Sequence, residues 1–311
     1  MLRKLPLDIS TFSELRLSNY VYVDKTEHMY NMITGGRRFF LSRPRRFGKS
    51  LLVSTLKEIL SGNKSLFNDL WIAQSDYQWE EHGVINLDFS GAAGMNVEQF
   101  EATLQKLLIE IANEYRLNVD LKLENPELML RSLIKALRTK FNRIAILVDE
   151  YDSPILRALK NPTSAESIRN AIQQFFTMIK SLDADINFVF ITGVSSFAKA
   201  GLFSGINNLT ILTLDEKYAA ICGYTDTEVD LYFKDYIDTW AQKNKIPYDQ
   251  IREQIKTWYN GYRFSEDTIS VYNPFSLMHA LNIQKFKNFW FQSGTPTFLV
   301  EVLKKEYKNF D

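Results

Sequence analysis

"RRFFLSRPRRFGKSLLVSTL" (residues 37–56) sets an apolar run, an arginine-rich loop and an apolar helical pattern in succession. Phe39, Phe40 and Leu41 suit a short buried strand, while Leu51, Leu52, Leu56, Ile59 and Leu60 recur at helical spacing. The phosphate-loop pattern is G-x-x-x-x-G-K-[ST]; Gly48, Lys49 and Ser50 match its second half, and Arg43 stands where its first glycine belongs. Strand, loop and helix is the order this chemistry requires. Backbone N–H groups from Arg46 through Phe47 to Ser50 would then face outward at a helix N-terminus, where unpaired donors and the helix dipole favour an anion. Pro44 has no N–H to add. The first glycine normally allows a tight turn, so Arg43 predicts a loop of different shape. The candidate nucleotide-binding set here is Arg43, Arg45, Arg46, Phe47, Gly48, Lys49, Ser50 and Leu51, with Lys49 on the β/γ-phosphates and Ser50 on Mg²⁺. The competing reading is a solvated arginine-rich loop with a chance G-K-S.

Composition narrows the setting. Lys+Arg and Asp+Glu balance at 37 each, so no global field draws the chain to nucleic acid or membrane. The single cysteine, Cys222, excludes an internal disulfide, and with three histidines it leaves no ligand set for structural zinc. The start, "MLRKLPLDISTF", lacks an apolar signal-like region, and no apolar run approaches the length needed to cross a bilayer. The expected location is cytoplasmic. A length of 311 residues suits one large domain or two.

From about 20 to 195, apolar strand-like runs (38–41, 84–89, 144–148, 187–192) alternate with amphipathic helical patterns (97–114, 126–141, 165–182). This predicts a parallel sheet covered by helices. Beyond Leu214 the segments 215–222, 226–243 and 247–259 are helix-like, and Asn260 and Gly261 with the alternating run after them predict a hairpin before another helix. The boundary falls between 1–214, an α/β phosphate-loop unit, and 215–311, a smaller, mostly helical one. No Pro/Gly linker separates them, so they are expected to pack together.

"NRIAILVDEYDSPIL" (142–156) is an apolar strand ending in Asp149 and Glu150, which puts both acids at the carboxyl end of a strand, where open α/β sheets bind ligands. Read as a Walker B strand, it gives Asp149 to the Mg²⁺ shell beside Ser50 and Glu150 to the attacking water as general base. Alternatively the pair caps a helix or faces solvent. A further strand, in "INFVFITGVSSFAKAGLFSGINNLTIL" (186–212), ends in Thr192, Ser195 and Ser196. In ATPases with a glutamate beside Walker B, an extra strand between the two motif strands carries a polar γ-phosphate sensor. Thr192 or Ser195 suits that role, or satisfies local turn backbone.

Taken in order, "YVDKTEHMY", "FFLSRPRRFGKSLL", "LVDEYDSPI", "ITGVSSFAKAGLFSGINNL" and "WYNGYRF…VYNPFSL" resemble the bacterial AAA-ATPase-like family over roughly residues 5 to 300. In that family an arginine at the position of Arg43 is usual, so the resemblance implies a variant loop. Members commonly continue into a C-terminal PD-(D/E)XK nuclease-like domain; no acidic-x-lysine strand pattern occurs towards Asp311, and nuclease activity is not expected of these residues. The resemblance further implies that 19–33 lies beside the nucleotide base, with Tyr22, Val23 and Lys25 as candidate adenine contacts or an edge strand packing its aromatics. It implies a winged-helix-like unit after 215, in which Tyr259, Tyr262 and Arg263 face nucleotide or nucleic acid, or serve core and turn.

The combined expectation is an Mg²⁺-dependent ATP-binding protein, an ATP hydrolase acting as a switch, with a nucleic-acid or protein partner. Two rivals are a small-molecule kinase and a nucleotide-dependent binding module with negligible turnover.

Overall fold

The computed structural model describes residues 2–91, 96–119, 125–195, 201–203, 206, 208–266 and 269–294. Helices α1 (Phe12–Leu17) and α2 (Thr26–Gly35) lead to β1 (Arg38–Ser42) and α3 (Lys49–Leu60). There follow β2 (His82–Asp88), α4 (Val97–Glu114), α5 (Pro126–Arg138), β3 (Arg143–Asp149), α6 (Ser153–Ala158), α7 (Pro162–Ser181), β4 (Phe188–Gly193) and β5 (Thr210–Ile211). Helices α8 (Asp226–Asn244), α9 (Tyr248–Tyr259), α10 (Pro274–Ile283) and α11 (Phe289–Gly294) are the last elements among the described residues. The strands form one parallel sheet in the order β2-β3-β4-β1-β5. The α/β expectation holds, and β4 lies between the loop strand β1 and the acid-bearing strand β3.

Each inner strand is buried on both faces, which is why it reads as a continuous apolar run. Alternate residues serve opposite sides. Phe40, Ile146 and Ile191 join the core beneath α4, α5 and α7, whereas Phe39, Leu41 and Leu147 join the core shared with α1 to α3. A third core holds α8 to α10 together and takes in Val21 and Val23, so the alternating "YVYV" turns Val21 and Val23 to the late helices and Tyr22 to the sheet side.

Helix starts follow capping chemistry. Asn125, Asn161 and Asn273 accept bonds from the first-turn N–H groups, each with proline at the next position, and Thr225 with Glu228 forms a capping box on α8. The Asn161-Pro162 signal starts α7 three residues before the expected 165.

Two expectations need correction, and one strand has no sequence signal. The helix expected over 215–222 is only a 3-10 turn, Glu216–Tyr218, followed by turns to Gly223 at φ 88°. Strand β5 was not anticipated: it is two residues long and exposed, so it leaves no apolar pattern. Asn260 and Gly261 do not turn a hairpin but end α9, with Gly261 at φ 119°, while antiparallel pairing joins Tyr262 to Val271 and Tyr224 to Tyr272. Among the described residues, no helix is long and apolar enough to cross a membrane.

Candidate nucleotide site

Gly48 is the N-cap of α3 and adopts φ 88°, a left-handed conformation that a side chain would strain; Arg46 also sits at φ 66°. These two positions bend the chain over the start of α3. Lys49 follows, and its ammonium folds back under the loop to donate to the carbonyls of Arg43 and Pro44, both at 3.1 Å. It is 5% exposed, not at an open loop exit as a lysine in an arginine-rich loop suggests. Burial lowers its pKa, and the neighbouring acids, Asp149 first, pull it back up.

Asp149 is the last residue of β3, and its carboxylate accepts from the Glu150 N–H at 2.9 Å. Burial pushes this carboxyl up to about 6, against the opposing pull of the Ser50 hydroxyl and the Lys49 charge. Glu150 takes φ 48°. A non-glycine residue in that region costs on the order of 1–3 kcal/mol and is held there only by its surroundings. The turn aims Glu150 into a cleft of about 640 Å³ whose walls also include Arg45, Arg46, Gly48, Lys49, Ser50 and Leu51.

A narrower, mostly apolar cavity adjoins this cleft, sharing Gly48, Leu51, Tyr224 and Pro274 with it. Tyr22, Val23, Lys25 and Phe47 line it. The Tyr22 hydroxyl is buried, and burial holds its pKa far above the usual phenol range. Lys25 is paired with both carboxylate oxygens of Glu228, at 2.6 and 2.7 Å.

Two expected site residues lie elsewhere. Arg43, expected near the phosphates, is 1% exposed and turned away from the cleft into the protein. The hydroxyl of Thr192, one of two candidate sensors, is fully buried and donates to the Leu41 carbonyl at 2.8 Å, tying β4 to β1. Ser195 stands just past β4, at the same end of the sheet as Asp149; Ser196 lies outside the described residues. Of the late aromatics, Tyr259 bonds the backbone of Lys287 and Tyr262 packs on Phe47, while Arg263 is exposed.

Sequence reading gave no role to the residues that hold this end of the sheet. Asp152 is 1% exposed and accepts from the N–H of Val194 at 3.1 Å and of Ser195 at 2.5 Å, and the Tyr151 hydroxyl donates to the Ser195 carbonyl at 2.9 Å. The two residues that follow the acid pair, Tyr151 and Asp152, thus lock onto the start of the segment after β4. Gly193 permits the approach, because an added Cβ would stand 2.5 Å from an Asp152 oxygen and 2.7 Å from the Tyr151 ring. Gly193→Ala is expected to cost about 1–3 kcal/mol, the usual scale of overpacking, measurable by urea denaturation. Arg157 was also missed; it sits one helical turn after Ser153, and both line the cleft. Their spacing of four was the available signal.

The profile of the Predicted AAA-ATPase family matches residues 6–203, from the first segment through the acid pair to the region after β4. The chain belongs to this family. As a predicted AAA-ATPase it is a nucleotide-binding, ATPase-like protein. It is 38% identical over 304 residues to a protein of Azotobacter chroococcum mcd 1 described as "Uncharacterized protein in vnfD 5'region", and this covers 97% of the chain and 56% of that relative. The chain therefore spans little more than half the relative's length. Among solved structures, the Aeropyrum pernix ORC2 protein in its ADPNP-ADP complexes aligns over 86% of this chain and 68% of its own, with a TM-score of 0.41 and 10% identity. That likeness is too distant to carry function.

For a divalent cation, the Ser50 hydroxyl and the Asp149 carboxylate offer neighbouring hard oxygen donors beside the loop. Such a donor set fits Mg²⁺, which is held by one or two protein oxygens together with substrate phosphates.

Proposed function

We propose that this AAA-ATPase-like chain binds Mg·ATP at the loop 43–50 and hydrolyses it, the bound and empty states acting as a switch. The observation that supports it most is that Glu150, Lys49 and Ser50 face one cleft although they follow two different strands, β3 and β1, that β4 separates. Lys49 exchanges its two loop carbonyls for phosphate oxygens, the loop N–H groups complete the cradle, and Arg45, Arg46 and Arg157 add positive charge at the cleft wall. Ser50 and Asp149 hold the metal. Bound Mg²⁺ supplies neutralisation of the phosphate charge. Glu150 orients the water and takes its proton. The base enters the narrow cavity beside Tyr22, Val23 and Lys25. The late helices are read as winged-helix-like, supported by their helix pair and antiparallel bridges. A cytoplasmic location is read from the single free cysteine.

A small-molecule kinase would share the loop, but a glutamate beside the phosphate cleft favours water as acceptor. Phosphate release with and without DNA tests the function. Steady release supports hydrolysis, release only with DNA assigns a nucleic-acid partner, and ATP binding with no release under either condition makes the chain a binding module.

Asp149→Asn should weaken nucleotide binding in Mg²⁺ and leave binding in EDTA nearly unchanged. It should also stabilise the metal-free fold. A carboxyl that titrates near 6 when folded and at 3.8 otherwise favours folding while protonated, and that contribution fades as pH rises through 6. At pH 8 the asparagine variant should gain about 3 kcal/mol in urea denaturation, the equivalent of two pKa units, and the gain should vanish near pH 4.

A further inference from the structure

Arg43 fills the position of the first phosphate-loop glycine, yet its guanidinium serves the protein interior. Its Nη1 donates to the carbonyls of Ser42 at 3.0 Å and Thr213 at 2.8 Å, and its Nη2 to that of Tyr218 at 3.1 Å. The guanidinium carbon lies 3.9 Å from the centroid of the Phe264 ring. No carboxylate pairs with it among the described residues. A buried charge is expensive unless compensated, so carbonyl dipoles and an aromatic face are what keep this cation inside.

The neighbouring loop residues are held from the same side. The Phe47 ring is 1% exposed and meets Tyr262 edge-on at 4.7 Å and Phe264 at 5.5 Å. Trp290 donates its indole N–H to the Arg45 carbonyl at 2.9 Å, and the Arg46 guanidinium lies over Phe275 at 4.9 Å. Loop residues 43, 45, 46 and 47 are thus each gripped by a side chain from beyond residue 261. The loop itself has left-handed backbone at Arg46 and Gly48 and no glycine at its start. The carbonyl of Arg43 is also one of the two that hold the Lys49 ammonium, so the aromatic grip and the phosphate-binding end meet in one residue.

We infer that Phe264 and Tyr262 are positioning residues for the phosphate loop, holding it in place from outside where the first glycine turn is absent. The strength of nucleotide binding is therefore set partly by the segment between α9 and α10, through Arg43 and Phe47, although these two aromatics line neither the cleft nor the narrow cavity. This rests on the phosphate-loop reading above.

The test is Mg·ATP titration of the full chain by calorimetry, at a temperature where circular dichroism shows every variant folded. Phe264→Ala should bind at least about tenfold more weakly than wild type, because small displacements of a positioned binding group cost that much or more. Phe264→Tyr, which restores the ring face, should recover to within about threefold. If Phe264→Ala does not fold, Phe264→Leu keeps apolar volume without the aromatic face and should still show the tenfold loss. A folded Phe264→Ala or Phe264→Leu with wild-type affinity overturns the inference while leaving the phosphate-loop reading intact. Failure of the wild type itself to bind overturns both.

Discussion

Lys49→Ala is expected to weaken Mg·ATP binding by at least about a hundredfold, since hydrogen bonds to charged groups are worth about 1.5–3 kcal/mol each and this ammonium is placed to make more than one. The ammonium sits under the loop with two carbonyl acceptors, so the variant also leaves those carbonyls without their donor. A stability loss of about 1–2 kcal/mol should accompany the loss of binding. A fluorescent ATP analogue read at low temperature separates the two effects. Unchanged affinity in the folded variant would remove Lys49 from the phosphate site.

Glu150→Gln should keep ATP affinity nearly unchanged and slow hydrolysis by about a hundredfold or more, the ordinary scale of general-base catalysis. Glutamine inherits the same left-handed backbone and nearly the same shape, so thermal stability should not move. Glu150→Gly removes the carboxylate together with the strain of φ 48°, and should lose hydrolysis while melting higher than wild type. Single-turnover phosphate release and a thermal melt measure both quantities. Hydrolysis at the wild-type rate in Glu150→Gln would place water activation on another residue.

Much of the sheet was legible because strands buried on both faces must be apolar throughout, and the acids ending β3 break that run abruptly. The loop was legible because its Gly48-Lys49-Ser50 stands between an apolar strand and an apolar helical pattern, the order that phosphate binding requires. What could not be read depends on distant partners. Arg43 looks like one of several solvated arginines, and only the fold brings Thr213, Tyr218 and Phe264 around it. The roles of Tyr151 and Asp152 were hidden because their partners, Val194 and Ser195, come from the adjacent strand's end. Asn260-Gly261 misled because left-handed glycine serves both a hairpin turn and a helix end, and local sequence does not choose between them. Thr192 misled in another way: a hydroxyl at a strand end can face a ligand or a neighbouring strand, and here the Leu41 carbonyl takes it.

The account stands most directly on a calorimetric titration of the 311-residue chain with ATP, in Mg²⁺ and in EDTA, beside Lys49→Ala under the same conditions. One saturable site in Mg²⁺, weakened in EDTA and lost in the variant, is the predicted result. Absence of saturable binding by the wild-type chain, or equal affinity in wild type and Lys49→Ala, would contradict it.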